Sequence, residues 1–276
     1  MDSTTSIHST TPDPDGDATG NAAAIGDAAA VVLAAGKGTR MKSDLPKVLC
    51  QVADRSMVHF VLDALSTADV DRHIVVVGYR ADDVRAELSD RQPSPHFVEQ
   101  TEQLGTGHAV AMCRDALADV TGPTIVLAGD SPLVQPQSIT ELLSHFAKHR
   151  PALLLGTLQH QNPEGLGRIV RDESGEFLKI VEHKDATDAQ RAIREVNLST
   201  YVFDTPKLLW ALEQLSSDNA QNEYYLTDCA EILRGAGHRV EALPCLRDCE
   251  AMSINNPDQL AAVDQYLRNA QRDGHA

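Results

Sequence analysis

The sequence predicts an α/β fold, a mainly parallel sheet with helices on both faces, and three observations carry that prediction. From Ala28 onward, short apolar runs alternate with segments of helical periodicity. The first run, residues 28–35, breaks into the basic glycine loop Gly36-Lys37-Gly38-Thr39-Arg40. A later run, residues 124–128, leads straight into Gly129-Asp130. Apolar runs of this length suit strands buried on both faces, and their alternation with helices is that of βαβ units. Right-handed crossovers then gather the loops after the strands on one edge of the sheet, where open α/β sheets receive ligands.

Each element follows from local pattern. Residues 28–35 are the first strand. Residues 57–65 read as a helix, with Ser56 as its cap and Val58, Val61, Leu62 and Leu65 on one face. Residues 73–77 are a second buried strand, ended by Gly78, and 81–88 a short helix. Residues 96–99 form a third strand, 107–118 a helix capped by Thr106, and 124–128 another strand; residues 141–148 lie in a helix. After about residue 150 the rhythm changes. Residues 152–158 read as a strand, and 168–171 with 177–181 as a hairpin around Asp172-Glu173-Ser174-Gly175. A strand over 194–203, helices over 208–215 and 227–234, a strand over 240–243 and a closing helix over 258–269 complete the chain.

Residues 1–27 are rich in Ser, Thr, Asp, Gly, Pro and Ala, and predict a disordered tail with no secretory signal. The domain is expected over 28–276, with a nucleotide-binding half over 28–150 and an acceptor half over 151–276 on the same sheet. The net charge of −16 argues against a nucleic-acid or anionic-membrane surface, each of which needs a basic face. The five cysteines form no Cys-x-x-Cys and are odd in number, which fits reduced thiols in a cytoplasmic protein.

The chemistry concentrates in a few stretches. Glycines beside Lys37 let backbone N–H groups approach phosphate oxygens, and Lys37, Arg40 and Lys47 add positive charge. The loop is not a Walker A motif, because Val31 stands where the first glycine is needed. It is not the dinucleotide fingerprint either, because Met41 replaces the third glycine. Gln100, at a strand end, offers a donor and an acceptor to a pyrimidine edge. Gly105 permits a base or ribose to pack close to backbone, while His108 fits a capping or packing role. Asp130, at the carboxyl end of a central strand, is placed to hold Mg²⁺ against phosphate oxygens. Gly165, Gly167, Glu182 and Asn197 are a set suited to sugar hydroxyls, while singly Glu182 equally fits a solvated carboxylate and Gly165 and Gly167 turn formers. Tyr225 offers a flat face for a sugar or amide, and Thr227 equally a helix cap. Asn255 is either a second Mg²⁺ ligand or part of a helix start.

Together, Leu33-Ala-Ala-Gly-Lys-Gly-Thr-Arg-Met41, Leu45-Pro-Lys47, Glu102-Gln-Leu-Gly-Thr-Gly-His108, Val181-Glu-His-Lys-Asp185 and Glu223-Tyr-Tyr225 resemble the uridylyltransferase domain of the bacterial N-acetylglucosamine-1-phosphate uridylyltransferase family. The resemblance implies a Rossmann-like nucleotidyltransferase fold, with UTP and a sugar 1-phosphate as substrates and Mg²⁺ as cofactor. It implies that Leu33, Ala34, Ala35, Gly36, Gln100, Gly105 and Thr106 contact the nucleotide, and that Arg40 and Lys47 neutralise its phosphates. Asp130 and Asn255 would hold Mg²⁺, and Gly167, Glu182, Asn197, Tyr225 and Thr227 the sugar phosphate. The sequence departs from the family at Leu166 (usually Tyr), at Leu198-Ser199 (usually Thr-Gly) and at Ser253 (usually Gly). It carries no hexapeptide repeats of an acetyltransferase β-helix, so no acetyl-CoA chemistry and a monomer or weak oligomer are expected.

Overall fold

The computed structural model describes residues 27–38, 41, 44–219 and 221–272. The expected tail therefore lies outside the described residues, apart from Asp27, and so does Arg40. Among the described residues, one sheet of nine strands forms the centre of the fold. Its central path begins with β1 (Ala29–Ala34), whose backbone pairs in parallel with β4 (Arg72–Val77) and β6 (Pro123–Ala128). Beyond β4 lies β5 (His96–Glu99), also parallel. On the other side, β10 (Glu195–Asp204) runs antiparallel to both β6 and β7 (Leu153–Gln159), and β11 (Val240–Leu243) closes the edge parallel to β7. The hairpin of β8 (Gly167–Arg171) and β9 (Phe177–Val181) hangs from β10 through two residue pairs, Val196 with Arg168 and Asn197 with Gly167.

Burial on both faces explains why β1, β4 and β6 read as unbroken apolar runs. Along β1, Ala30, Val32 and Ala34 enter one core and Ala29 and Val31 the other, the two-residue alternation of a strand. The first core is covered by α1 (Met57–Thr67), α2 (Ala81–Glu87) and α5 (Pro136–His149), through residues such as Val61, Val84 and Leu142. The second is covered by α3 (Thr106–Ala111), α4 (Arg114–Leu117), α7 (Thr205–Leu212) and α8 (Asp228–Gly235), through Val110, Leu117, Leu208 and Leu233. A third, smaller core forms where α9 (Pro257–Arg272) lies on a short hairpin, β2 (Gln51–Val52) and β3 (Arg55–Ser56). There Val263 and Leu267 meet Val52, and Ala53 N donates to Asp264 Oδ1 at 2.8 Å.

Several sequence expectations are corrected. The helix expected over 107–118 is two helices, because Cys113 N turns back to Val110 O at 2.9 Å and tightens the chain between them. Ser56 stands at the N-cap of α1, but its hydroxyl donates to Glu87 Oε1 at 2.6 Å rather than capping. Thr106 is the first residue of α3 and not its cap; its Oγ1 accepts from Leu226 N at 3.1 Å. Thr227 holds the N-cap position of α8 in a helical conformation, without a side-chain cap bond. Helix α7 starts earlier than expected, because the Asp204 carboxylate caps it and Pro206 suits its first turn. The hairpin β2–β3 and the four-residue α6 (Asp188–Arg191), closed by a capping box from Thr187 and Gln190, were not anticipated.

Candidate active site

The ends of β1, β5 and β6 converge on one cleft of about 340 Å³. Leu33, Ala35, Gly36, Lys47, Gln100, Gly105, Thr106 and Asp130, all expected from the sequence, line it together with Gln103 and Glu223. Ala34 does not: the strand alternation turns its methyl into the first core, at 1 % exposure, leaving its backbone for any ligand contact.

The glycines of the loop have different reasons. A Cβ on Gly36 would meet nothing within 4 Å, so this position looks onto open cleft. Gly38 adopts φ +64° and would place a Cβ 2.7 Å from that of Lys47. Only glycine fits there. Lys47 itself opens a 3₁₀ turn, Lys47–Leu49, entered through Pro46 and anchored by buried Val48 and Leu49. That turn aims the ammonium at the end of β6, where Lys47 Nζ meets Asp130 Oδ2 at 2.5 Å. The same Nζ lies 3.4 Å from Asn255 Oδ1. Lys37 stands apart, its ammonium 5.2 Å from the centre of the Tyr79 ring.

The second motif is organised around Gln100, which is buried. Its amide nitrogen donates to Gly105 O and to His108 Nδ1, each at 3.1 Å. Both amide protons are thus committed within the protein, and the carbonyl oxygen Oε1 remains as the polar atom for a ligand. This corrects the expectation that Gln100 offers a ligand a donor as well as an acceptor. It also fixes the imidazole: His108 accepts at Nδ1, so its proton sits on Nε2. Gly105, at φ +106°, lines the cleft and also admits protein backbone, since a Cβ would lie 2.5 Å from Tyr224 O. Tyr224 N donates to Leu104 O at 2.7 Å, and Gly107 N to Tyr224 O at 2.8 Å. Gln103 Nε2 donates to Ala35 O at 2.7 Å and ties this turn to the glycine loop.

A second cleft of about 220 Å³ adjoins the first and shares Lys47, Ala128 and Asp130 with it. Asn197 and Asn255 line it, as do Leu166, Leu198, Ser199 and Ser253. Asn197 is largely committed inside the protein: its Oδ1 accepts from Ser199 N at 3.2 Å and its Nδ2 donates to Tyr201 OH at 2.9 Å. Burial pushes the Tyr201 phenol up to about 12, so it stays protonated. Gly167, Glu182 and Asn197 are neighbours, since a Cβ on Gly167 would lie 3.4 Å from Glu182 Oε1 and 3.7 Å from Asn197 Cβ. Partial burial and nearby Asp185 raise the Glu182 carboxyl above its ordinary value. Gly167, Glu182, Tyr225 and Thr227 line neither cleft, and the Tyr225 hydroxyl donates to Gln221 Oε1.

Two residues of this region escaped sequence reasoning. Glu250 lines the second cleft and gathers donors from Arg247 N at 2.6 Å, Ser138 Oγ at 2.7 Å and Gln135 N at 3.1 Å. No local motif marks it. Arg168, 1 % exposed, meets no carboxylate among the described residues but donates to Leu166 O, to His183 Nδ1 at 3.3 Å and to Arg191 O at 3.5 Å. Desolvation lowers its affinity for the proton, with Arg191 adding to the effect. A fully buried cationic side chain beside a cleft wall was legible only as an arginine after Gly167.

Asp130 and Asn255 are oxygen donors that converge on one ammonium, so they can share one small hard cation. Among the described residues no three His, Cys, Asp or Glu side chains gather as a metal cage. A pair of protein oxygens beside an open cleft suits Mg²⁺, which keeps waters or substrate phosphates in its remaining positions.

The family profile described as MobA-like NTP transferase domain matches residues 30–221. The chain belongs to this family. The matched segment holds every lining residue of the first cleft except Glu223, and the lining of the second cleft up to Ser199. The chain is 47 % identical over 240 residues to the bifunctional protein GlmU of Lactococcus lactis subsp. lactis (strain IL1403), covering 87 % of this chain and 52 % of that protein. It is 42 % identical over 246 residues to the bifunctional protein GlmU of Streptococcus mutans serotype c, covering 89 % and 53 %. The chain thus spans about half the length of the curated relatives it matches. Its fold is that of a UDP-glucose pyrophosphorylase solved with UDP-glucose, at TM-score 0.70 and 16 % identity over 87 % of this chain and 98 % of that one. Among the described residues no helix is long and apolar enough to cross a membrane.

Proposed function

We propose that this domain transfers the uridylyl group of UTP to N-acetylglucosamine 1-phosphate, releasing pyrophosphate in the cytoplasm. An oxygen of the sugar phosphate attacks the α-phosphorus in line, and the bond from that phosphorus to the pyrophosphate oxygen breaks. The attacking phosphate is already ionised at neutral pH, so no general base is required. Catalysis is then positioning and charge neutralisation.

The observation that carries this reading is Lys47, shared by two adjoining clefts and 2.5 Å from Asp130. The first cleft, with Gly36 open to it, suits a triphosphate; the second, an acceptor. Lys47 neutralises charge where they meet, and Arg40, in the same loop, is assigned the same role. Asp130 and Asn255 would hold Mg²⁺, which supplies further charge neutralisation to the phosphates when bound. Gln100 supports a uracil base, because its Oε1 is an acceptor, uracil N3 carries a proton and cytosine N3 does not. The similarity to GlmU supports the sugar.

One observation favours a different acceptor with the same chemistry. Leu166, Leu198, Ser199 and Ser253, the four departures from the family pattern, all line the second cleft. The deciding experiment is pyrophosphate release with Mg²⁺ across four nucleoside triphosphates and a panel of sugar 1-phosphates. Turnover confined to UTP with N-acetylglucosamine 1-phosphate is expected. UTP with another sugar would move the acceptor. Binding of UTP by folded protein without release from any pair would leave a nucleotide-sugar sensor instead of an enzyme.

A further inference from the structure

We propose that Lys47 is a built-in competitor for the metal, holding Asp130 and Asn255 closed around its ammonium until an anion in the first cleft draws it away. This rests on the reading above, in which that pair of oxygens holds Mg²⁺. The geometry is specific. Lys47 Nζ is 2.5 Å from Asp130 Oδ2 and 3.4 Å from Asn255 Oδ1. The Lys47 and Asp130 side chains are only 16 % and 26 % exposed, so water screens the pair incompletely. A divalent cation held by the same two oxygens would sit within a few ångströms of the ammonium, where like charges repel. The ammonium and the metal therefore exclude each other from the oxygen pair.

The construction of the loop says how the exchange proceeds. The Lys47 backbone is held in its 3₁₀ turn by buried Val48 and Leu49. Its Cβ is backed by Gly38, where no side chain fits. The inner stem is thus fixed and the outer methylenes carry the motion. Within their reach is the first cleft, which Lys47 also lines, with Gly36 on its wall. A phosphate there offers the ammonium a new partner and draws it away from the two oxygens. Metal and phosphate binding are then coupled through one lysine, and the coupling is reciprocal.

The test measures metal binding directly, with nucleotide-free protein and Mn²⁺, following free Mn²⁺ by electron paramagnetic resonance. Wild type is expected to bind weakly and Lys47→Met at least about fivefold more tightly, the low end of ordinary coupling between two ligands. Lys47→Arg keeps the charge and should bind as weakly as wild type. In lysine labelled with ¹³C at Cε, the resonance missing from Lys47→Arg should move to the free-lysine position as Mg²⁺ saturates. Equal Mn²⁺ affinity in wild type and Lys47→Met, with binding lost in Asp130→Asn, would overturn the competition. Unchanged affinity in Asp130→Asn would instead overturn the metal reading. If Lys47→Met does not fold, the labelled wild type decides alone, because a stationary Lys47 resonance at saturating Mg²⁺ refutes the exchange.

Discussion

Arg171 grips Glu195 through two parallel bonds, Nε to Oε2 and Nη2 to Oε1, each 2.7 Å long. The Glu195 side chain is 6 % exposed and also accepts from Thr157 Oγ1, while Arg171 Nη2 reaches Ala242 O. One ion pair thus ties β8 to β10, β7 and β11. Removing the cation alone leaves a buried carboxylate without its counter-charge. Arg171→Met should cost about 3–5 kcal/mol, and Arg171→Met with Glu195→Met should recover much of that. Urea unfolding of both variants measures the difference; a single variant as stable as wild type would refute the account.

Ser199 carries φ +59° at the irregularity where β10 shifts register against β7. A left-handed conformation costs an L-residue about 1–2 kcal/mol, while glycine loses about 0.5–1 kcal/mol through its freer unfolded chain. Ser199→Gly should therefore raise stability slightly, by up to about 1 kcal/mol. Ser199→Val should lower it, because a branched Cβ tolerates positive φ worst. Thermal unfolding of the pair gives the sign, and a valine variant more stable than the glycine one would contradict it.

The glycines of the first cleft separate binding from folding. Gly36→Ala places a methyl in open space, so stability should stay within about 0.5 kcal/mol while KM for UTP rises. Gly105→Ala drives a Cβ into Tyr224 O at positive φ, so unfolding should be easier and binding lost with it. Calorimetry beside substrate kinetics distinguishes the two, and a Gly36→Ala enzyme with unchanged KM would remove Gly36 from the binding surface.

Glu250 gives a pH dependence with a defined sign. Burial raises its carboxyl above the ordinary 4.5, against the pull of bonds from Arg247, Ser138 and Gln135. A carboxyl raised on folding contributes stability that is full below its unfolded value and lost as pH climbs through its folded value. Wild type should lose that contribution as pH rises above about 4.5, and Glu250→Gln should not. The difference between their urea midpoints, from about pH 4 to about pH 7, isolates the group from other carboxyls. A difference that stays flat would show that the three donors balance the burial.

The strand–helix rhythm of the first half was legible because β1, β4 and β6 are buried on both faces and so leave unbroken apolar runs. The reversal of β10 was not, because an antiparallel strand between two others carries the same apolar pattern. The β2–β3 hairpin hid for another reason: it turns on Ala53 and Asp54 at φ +46° and +65°, with no glycine to signal it. At the site, Lys47 and Asp130 were readable from short motifs. Glu250 was not, since its partners on the α5 side stand 112 and 115 residues away. The crowding of Gly105 by Tyr224 was hidden likewise, because a glycine's neighbour across the fold leaves no mark on its own segment.

The two pairs by which the β8–β9 hairpin hangs from β10 contrast with the six that join β1 to β4. Segments with few ladder bonds open at lower free energy than the strands that carry them. Amide exchange should therefore run through residues 167–181 before it reaches 29–34. The molecule is stiff beneath its glycine loop and compliant beside its second cleft.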